Sequence, residues 1–233
     1  ISLADIKKVN EVLKSDYLTQ GPKTHLFEKE IEKNIGVKHA ITFNSATSAL
    51  HIACLALNVG KNDFVWTCTN SFVASANCAL YCGANVDLID IDKRNYNINI
   101  SELENKLKKA KKVNKLPKVV IPVHFSGVPC DMKSIFNLSK KYKFKILEDA
   151  SHAIGSKYKN SKIGDCKYSD ITVFSFHPVK IITTAEGGAA LTNSKHLEKR
   201  LKLLRTHGIT REKKYLYKKK KENRYYEFQD IGY

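Results

Sequence analysis

Residues 132–152 read Met-Lys-Ser-Ile-Phe-Asn-Leu-Ser-Lys-Lys-Tyr-Lys-Phe-Lys-Ile-Leu-Glu-Asp-Ala-Ser-His. The run Met132–Lys141 is helix-like, Phe144–Glu148 is strand-like, and Asp149-Ala-Ser-His152 turns away from the strand. Moving outward in both directions, the same alternation repeats. Strand-like runs lie at His39–Phe43, Asp63–Cys68, Val86–Ile91, Lys118–Val123, Ile171–Phe176 and Gly188–Thr192. Helix-like runs lie between them at Ala46–Leu57, Phe72–Tyr81 and Ser101–Lys112, and Lys195–Arg205 closes the series. Strands alternating with helices predict a three-layer α/β fold around a mostly parallel sheet.

Two further helices precede this series. Ser2-Leu-Ala-Asp5 resembles a capping box for a helix running to about Lys14. Thr24 is placed to cap a second helix, with Phe27, Ile31 and Ile35 on one face and Gly36 ending it. After Arg205 the apolar period dissolves into basic and aromatic residues. We expect an N-terminal helix and loop over 1–20, a large domain over 21–208, and a basic segment over 209–233 leading to a small domain that this sequence lacks. A first residue Ile1 rather than Met, and no stop signal in Asp230-Ile-Gly-Tyr233, fit a fragment of a longer protein.

The chain has 233 residues, 42% of them hydrophobic, enough for one sizeable core. Its six cysteines form no Cys-x-x-Cys pair and no zinc-finger spacing, so no metal site is expected. Cys54, Cys78 and Cys82 fall among Ala and Leu and read as buried free thiols, which suits a reducing, cytoplasmic compartment. No apolar run is long enough to span a bilayer. The formal net charge is +17, concentrated in Lys106–Lys118 and Arg211–Arg224. Such a balance suits polyanions, but no nucleic-acid reader motif accompanies it, and lysines along helix faces ordinarily only solvate them.

Parallel sheets bind ligands beyond the carboxyl ends of their strands. After Phe43, Asn44-Ser-Ala-Thr-Ser48 leads into an Ala-rich helix. Small residues, free helix N–H groups and the Thr47 hydroxyl make an anion site there, or the segment is an ordinary cap. Asp149 stands at a strand end, where a buried carboxylate needs a cationic partner: a protonated pyridine nitrogen, or a neighbouring lysine. His152 faces the same space if the turn is helical; otherwise it is a surface histidine. Lys180 lies among apolar neighbours, before Gly187-Gly188. Desolvation lowers a lysine's pKa toward the neutral, nucleophilic amine, although most lysines in so basic a chain are surface residues. Phe72 offers an aromatic face at the crevice, or is core.

In order along the chain, Asn44-Ser-Ala-Thr-Ser-Ala-Leu50, Ser71-Phe-Val-Ala74, Glu148-Asp-Ala-Ser-His-Ala-Ile-Gly155 and Phe174-Ser-Phe-His-Pro-Val-Lys180 through Gly188 resemble the DegT/StrS family of nucleotide-sugar aminotransferases. The likeness runs to about Gly208 and is nearest to enzymes that aminate C4 of a UDP-linked 4-keto-6-deoxy-hexose on the route to pseudaminic acid. It implies the large domain of a fold-type-I transferase that uses pyridoxal 5'-phosphate. It further implies that Lys180 holds the cofactor covalently and acts as base and acid, and that Asp149 meets the pyridine nitrogen. His152 would lie near the phenolic oxygen, Phe72 would stack on the ring, and Ala46, Thr47 and Ser175 would hold the phosphate. Tyr17, Leu18 and Thr19 match a loop near the nucleotide-sugar, and the amino donor would be L-glutamate. The family pattern continues past Tyr233 with an Asn that reaches a partner's phosphate site, which implies a homodimer. A dehydratase branch that replaces the lysine with His is disfavoured by Lys180. A non-catalytic relative and a basic nucleic-acid module are the competing readings.

Overall fold

The computed structural model describes residues 1–217 and 225–233; the basic stretch singled out in the sequence lies, over 218–224, outside the described residues. Helix α1 (Leu3–Leu13) starts on the expected capping box: the Ser2 side chain accepts from the Asp5 N–H, and the Asp5 carboxylate accepts from the Ser2 N–H. Helix α2 spans Pro22–Ile35, and here the expectation fails. Gly21 is its N-cap and Thr24 lies inside the first turn, because Pro22 is pre-set for the first helical position and needs no N–H partner. Gly36 ends α2 in the left-handed region, at φ 86°.

The central sheet has seven strands. In chain order the elements are β1 (His39–Phe43), α3 (Ala46–Ala56), β2 (Phe64–Cys68), α4 (Ala74–Leu80), β3 (Asn85–Ile89), α5 (Ile100–Lys112), β4 (Val119–Ile121), α6 (Met132–Tyr142) and β5 (Lys145–Asp149). A small hairpin, β6 (Lys157–Tyr158) and β7 (Ser161–Lys162), precedes β8 (Ile171–Ser175), β9 (Gly188–Thr192) and α7 (Lys195–Arg205); β10 (Ile209–Thr210) and β11 (Glu227–Phe228) pair near the end. The sheet order is β1-β9-β8-β5-β4-β2-β3. The five strands from β3 to β8 are mutually parallel, and β9 runs antiparallel to both β8 and β1.

Alternating side chains send the strands' apolar residues to both faces. Ile41, Val65, Ile121, Leu147 and Val173 pack with α3, α4 and α7 on one side. On the other, Trp66, Val120 and Ile146 pack with α5 and α6, while Phe174 and Leu191 meet α2. These are the three expected layers. No helix among the described residues is long and apolar enough to cross a membrane. All six cysteines are free thiols. Cys82 differs from the expectation in lying past the end of α4, only half-buried.

This topology positions the site. Because β9 reverses direction between β8 and β1, the carboxyl ends of β1, β2, β5 and β8 and the amino end of β9 all meet one edge of the sheet.

Candidate active site

A cavity of about 540 Å³ opens at that edge, a size suited to a small cofactor. Each wall is the end of a different strand. From β1 come Ala46 and Thr47, the first residues of α3. The cap of α3 is Ser45, whose Oγ accepts from the Ser48 N–H at 3.1 Å. The Thr47 hydroxyl makes no hydrogen bond to another described residue and remains free for a ligand. Gly188 of β9 lies directly beneath: a Cβ there would come within 2.5 Å of the Ala46 nitrogen, so only glycine lets strand and helix approach this closely.

From β5 comes Asp149, 4% exposed. Its Oδ1 accepts from the Ser151 N–H at 3.1 Å and the Ser151 hydroxyl at 2.6 Å; its Oδ2 accepts from the Ser75 hydroxyl at 2.5 Å. No lysine, arginine or histidine among the described residues forms an ion pair with it. The carboxylate preceding it contrasts with this. Glu148 Oε2 lies 2.7 Å from His124 Nε2, and Oε1 accepts from Thr172 and Ser169. His124 Nδ1 accepts from the Cys130 N–H, which places the ring proton on Nε2, facing Glu148. Burial pushes the Glu148 carboxyl up, but its donors, His124 first, outweigh that and hold it below 4.5.

From β8 come Ser175 and, after a turn closed by the Lys180 N–H to the His177 carbonyl, Lys180 itself. Lys180 Nζ lies 2.7 Å from His152 Nε2. Loss of solvent around the ring, and then the lysine's charge, hold His152 below 6.5, against the opposite pull of Asp149. The neutral ring can then accept the lysine's hydrogen bond. The shielding expected from the apolar neighbours of Lys180 does not come from them: Val179, Ile181 and Ile182 are exposed, at 79%, 66% and 45%. Apolar neighbours in sequence shield a side chain only when the fold turns them toward it. Phe72, after β2, lines the cavity and is 72% exposed, which rules out the core alternative.

The structure therefore brings Ala46, Thr47, Phe72, Asp149, His152, Ser175 and Lys180 to one cavity. It does not bring Tyr17, Leu18 or Thr19 there. These line a separate shallow groove between α1 and α2. Thr19 also reaches a larger groove that adjoins the cavity through Glu186 and Gly187.

Matching this arrangement to known proteins decides the family. The chain belongs to the DegT/DnrJ/EryC1/StrS aminotransferase family. The match covers residues 1–233. A relative named UDP-4-amino-4,6-dideoxy-N-acetyl-beta-L-altrosamine transaminase, from Campylobacter jejuni, is 45% identical over 213 residues, 91% of this chain and 55% of that protein. Helicobacter pylori PseC, an aminotransferase involved in the biosynthesis of pseudoaminic acid, superposes with TM-score 0.86 at 38% identity, over 100% of this chain and 58% of that one. Bacillus subtilis NtdA with bound cofactor PMP superposes with TM-score 0.82 at 28% identity, over 100% of this chain and 50% of that one. The chain thus spans little more than half the length of the DegT/DnrJ/EryC1/StrS relatives it matches.

Sequence reading missed Ser75, Ser151 and His124. Ser151 had a signal, since a serine two residues after a strand-end aspartate is well placed to close a turn on it. Ser75 had none, because Ala74-Ser-Ala-Asn-Cys78 reads only as helix.

Proposed function

We propose that this chain is the cofactor-binding part of an enzyme that moves an amino group from an amino acid, L-glutamate in our reading, to the C4 keto group of a UDP-linked 4-keto-6-deoxy-N-acetylhexosamine, with pyridoxal 5'-phosphate held by Lys180. One observation carries this reading. Asp149 is a buried carboxylate held by hydroxyl and amide donors with no cation among the described residues, and it opens on the same cavity as Lys180. A buried anion is tolerated when a cation completes it, and a protonated ring nitrogen is such a cation.

The residues present fit the group. The free N–H groups at the start of α3, with Thr47 and Ser175, suit its phosphate. Phe72 suits a flat ring, and Lys180 suits its aldehyde. When bound, pyridoxal phosphate supplies an electron sink for charge developing at a substrate carbon. Asp149 keeps the ring nitrogen protonated. Lys180 Nζ, once displaced, would take the proton from the donor Cα and deliver it to the cofactor carbon that it had held. His152 Nε2 accepts the lysine's hydrogen bond and keeps that amine aimed into the cavity. The similarity to the Campylobacter and Helicobacter proteins supports the sugar, and the groove that joins Thr19 to Glu186 offers it room. The exposed apolar rim of Phe72, Val179 and Ile181 supports a homodimer closed over the cavity.

The test is chemical. Full-length protein is loaded with pyridoxal phosphate, reduced with borohydride and digested. The reduced cofactor is expected on the peptide carrying Lys180. A tag mainly on another lysine, or an unchanged visible absorbance in Lys180→Ala, would overturn the reading.

A further inference from the structure

We infer that Ser75, on the opening turn of α4, is a positioning residue: its hydroxyl fixes the Asp149 carboxylate for a cationic ring. The inference rests on the cofactor reading above. Its observations are separate from those that led there.

Ser75 is the second residue of α4, a place where a serine hydroxyl is ordinarily free for solvent or for capping. Helix α4 has Val73 at its N-cap and no side-chain cap at all. Ser75 nevertheless spends its hydroxyl elsewhere. It is fully buried, and its only side-chain hydrogen bond among the described residues runs 2.5 Å to Asp149 Oδ2. A hydroxyl has one proton to give, and this one goes to the carboxylate. With Ser151 on Oδ1, each carboxylate oxygen has its own donor, so the plane of the carboxyl group cannot rotate freely. The same serine's backbone N–H donates to the Phe72 carbonyl at 3.1 Å. One turn of chain therefore ties the aromatic residue of the cavity mouth to the anion at its floor.

The chemistry gives this a direction. A donor on Oδ2 stabilises the carboxylate's charge, and a stable anion keeps the ring nitrogen protonated. With the cofactor bound, a protonated ring would draw electron density from the Lys180 nitrogen and so weaken that nitrogen's hold on its proton. Removing Ser75 weakens each link in turn. The other titratable side chains of the cavity wall, His124, His152, His177, Lys180 and Glu186, stay in place in the comparison.

The experiment uses full-length protein with pyridoxal phosphate, in unaltered, Ser75→Ala and Ser75→Thr forms. Two quantities are read: the dissociation constant for the cofactor, and the pH midpoint at which its visible band changes. Ser75→Ala should raise the dissociation constant ~10-fold and move the midpoint upward by about one unit. Ser75→Thr, which keeps the hydroxyl, should restore both. The midpoint of the alanine variant decides the matter alone, should the extra methyl of threonine not fit. An alanine variant with lowered melting temperature but unchanged midpoint and dissociation constant would make Ser75 merely structural and overturn the inference. No visible band in the unaltered protein would instead overturn the cofactor reading, and this inference with it.

Discussion

Glu148 and Asp149 are consecutive buried carboxylates on β5, and the two sides of the strand treat them differently. Strand alternation turns them to opposite faces. Glu148 is closed: a histidine N–H and two hydroxyls use its oxygens, and nothing is left for a ligand to supply. Asp149 is open: two serines orient it, no cation among the described residues completes it, and it borders a cavity. Burial alone does not separate a structural carboxylate from a functional one. What separates them is whether the protein itself completes the charge.

The contrast is sharpest under substitution. Asp149→Asn should leave the fold intact and cut amino transfer by ~100-fold to several thousand-fold, the range expected when one partner of a buried charge pair is removed. Without cofactor, its melting temperature should match or exceed that of the unaltered protein, because an uncompensated anion has been removed. A variant that keeps full turnover would break the comparison on its functional side.

Glu148→Gln should do the reverse. It places an amide N–H₂ against the donors of His124, Ser169 and Thr172, at a cost of about 3 kcal/mol in urea unfolding, while the folded fraction binds cofactor normally. Acid sharpens the same point. Glu148 is held below 4.5 in the folded chain, so its contribution is full above pH 4.5 and is lost as pH falls through the lower folded value. The unaltered protein should lose stability more steeply with acid in that window than Glu148→Gln. Equal slopes would show that the pair contributes nothing.

The smallest effect lies on the open side. His152 is held below 6.5 by loss of solvent and by Lys180, so its neutral form prevails at pH 6.5 and above, and its contact with Lys180 weakens only as pH falls through the lowered value. Lys180→Met should raise the His152 midpoint, read from its ring resonances in an NMR titration. An unmoved midpoint would mean that the lysine charge does not reach the ring.

Much of the fold was legible because periodicity is a local property. β1, β9 and α7 begin and end where the hydrophobic pattern placed them, and the other sheet strands shift by no more than a few residues. Asp149 and Lys180 stood out because strand ends are where open sheets bind ligands. The failures share a cause of the opposite kind. Thr24 looked like a cap until Pro22 claimed the helix start. Val179 and Ile181 looked like shielding, yet which way they face depends on residues distant in sequence. Ser75 meets Asp149 across 74 positions, a contact that no local pattern contains.

The edge strand β1 carries a consequence in time. Among the described residues it pairs only with β9, Phe43 opposite Gly188, and its end launches the helix whose first residues line the cavity. On a ribosome adding ~5–20 residues per second, β1 waits roughly 7 to 30 s for the strand that will hold it. Until then its unpaired backbone is exposed, and the first turn of α3 has no Gly188 beneath it. The close contact between the start of α3 and Gly188 is encoded by residues far apart in the chain, Ala46 and Gly188, and is completed only when β9 arrives.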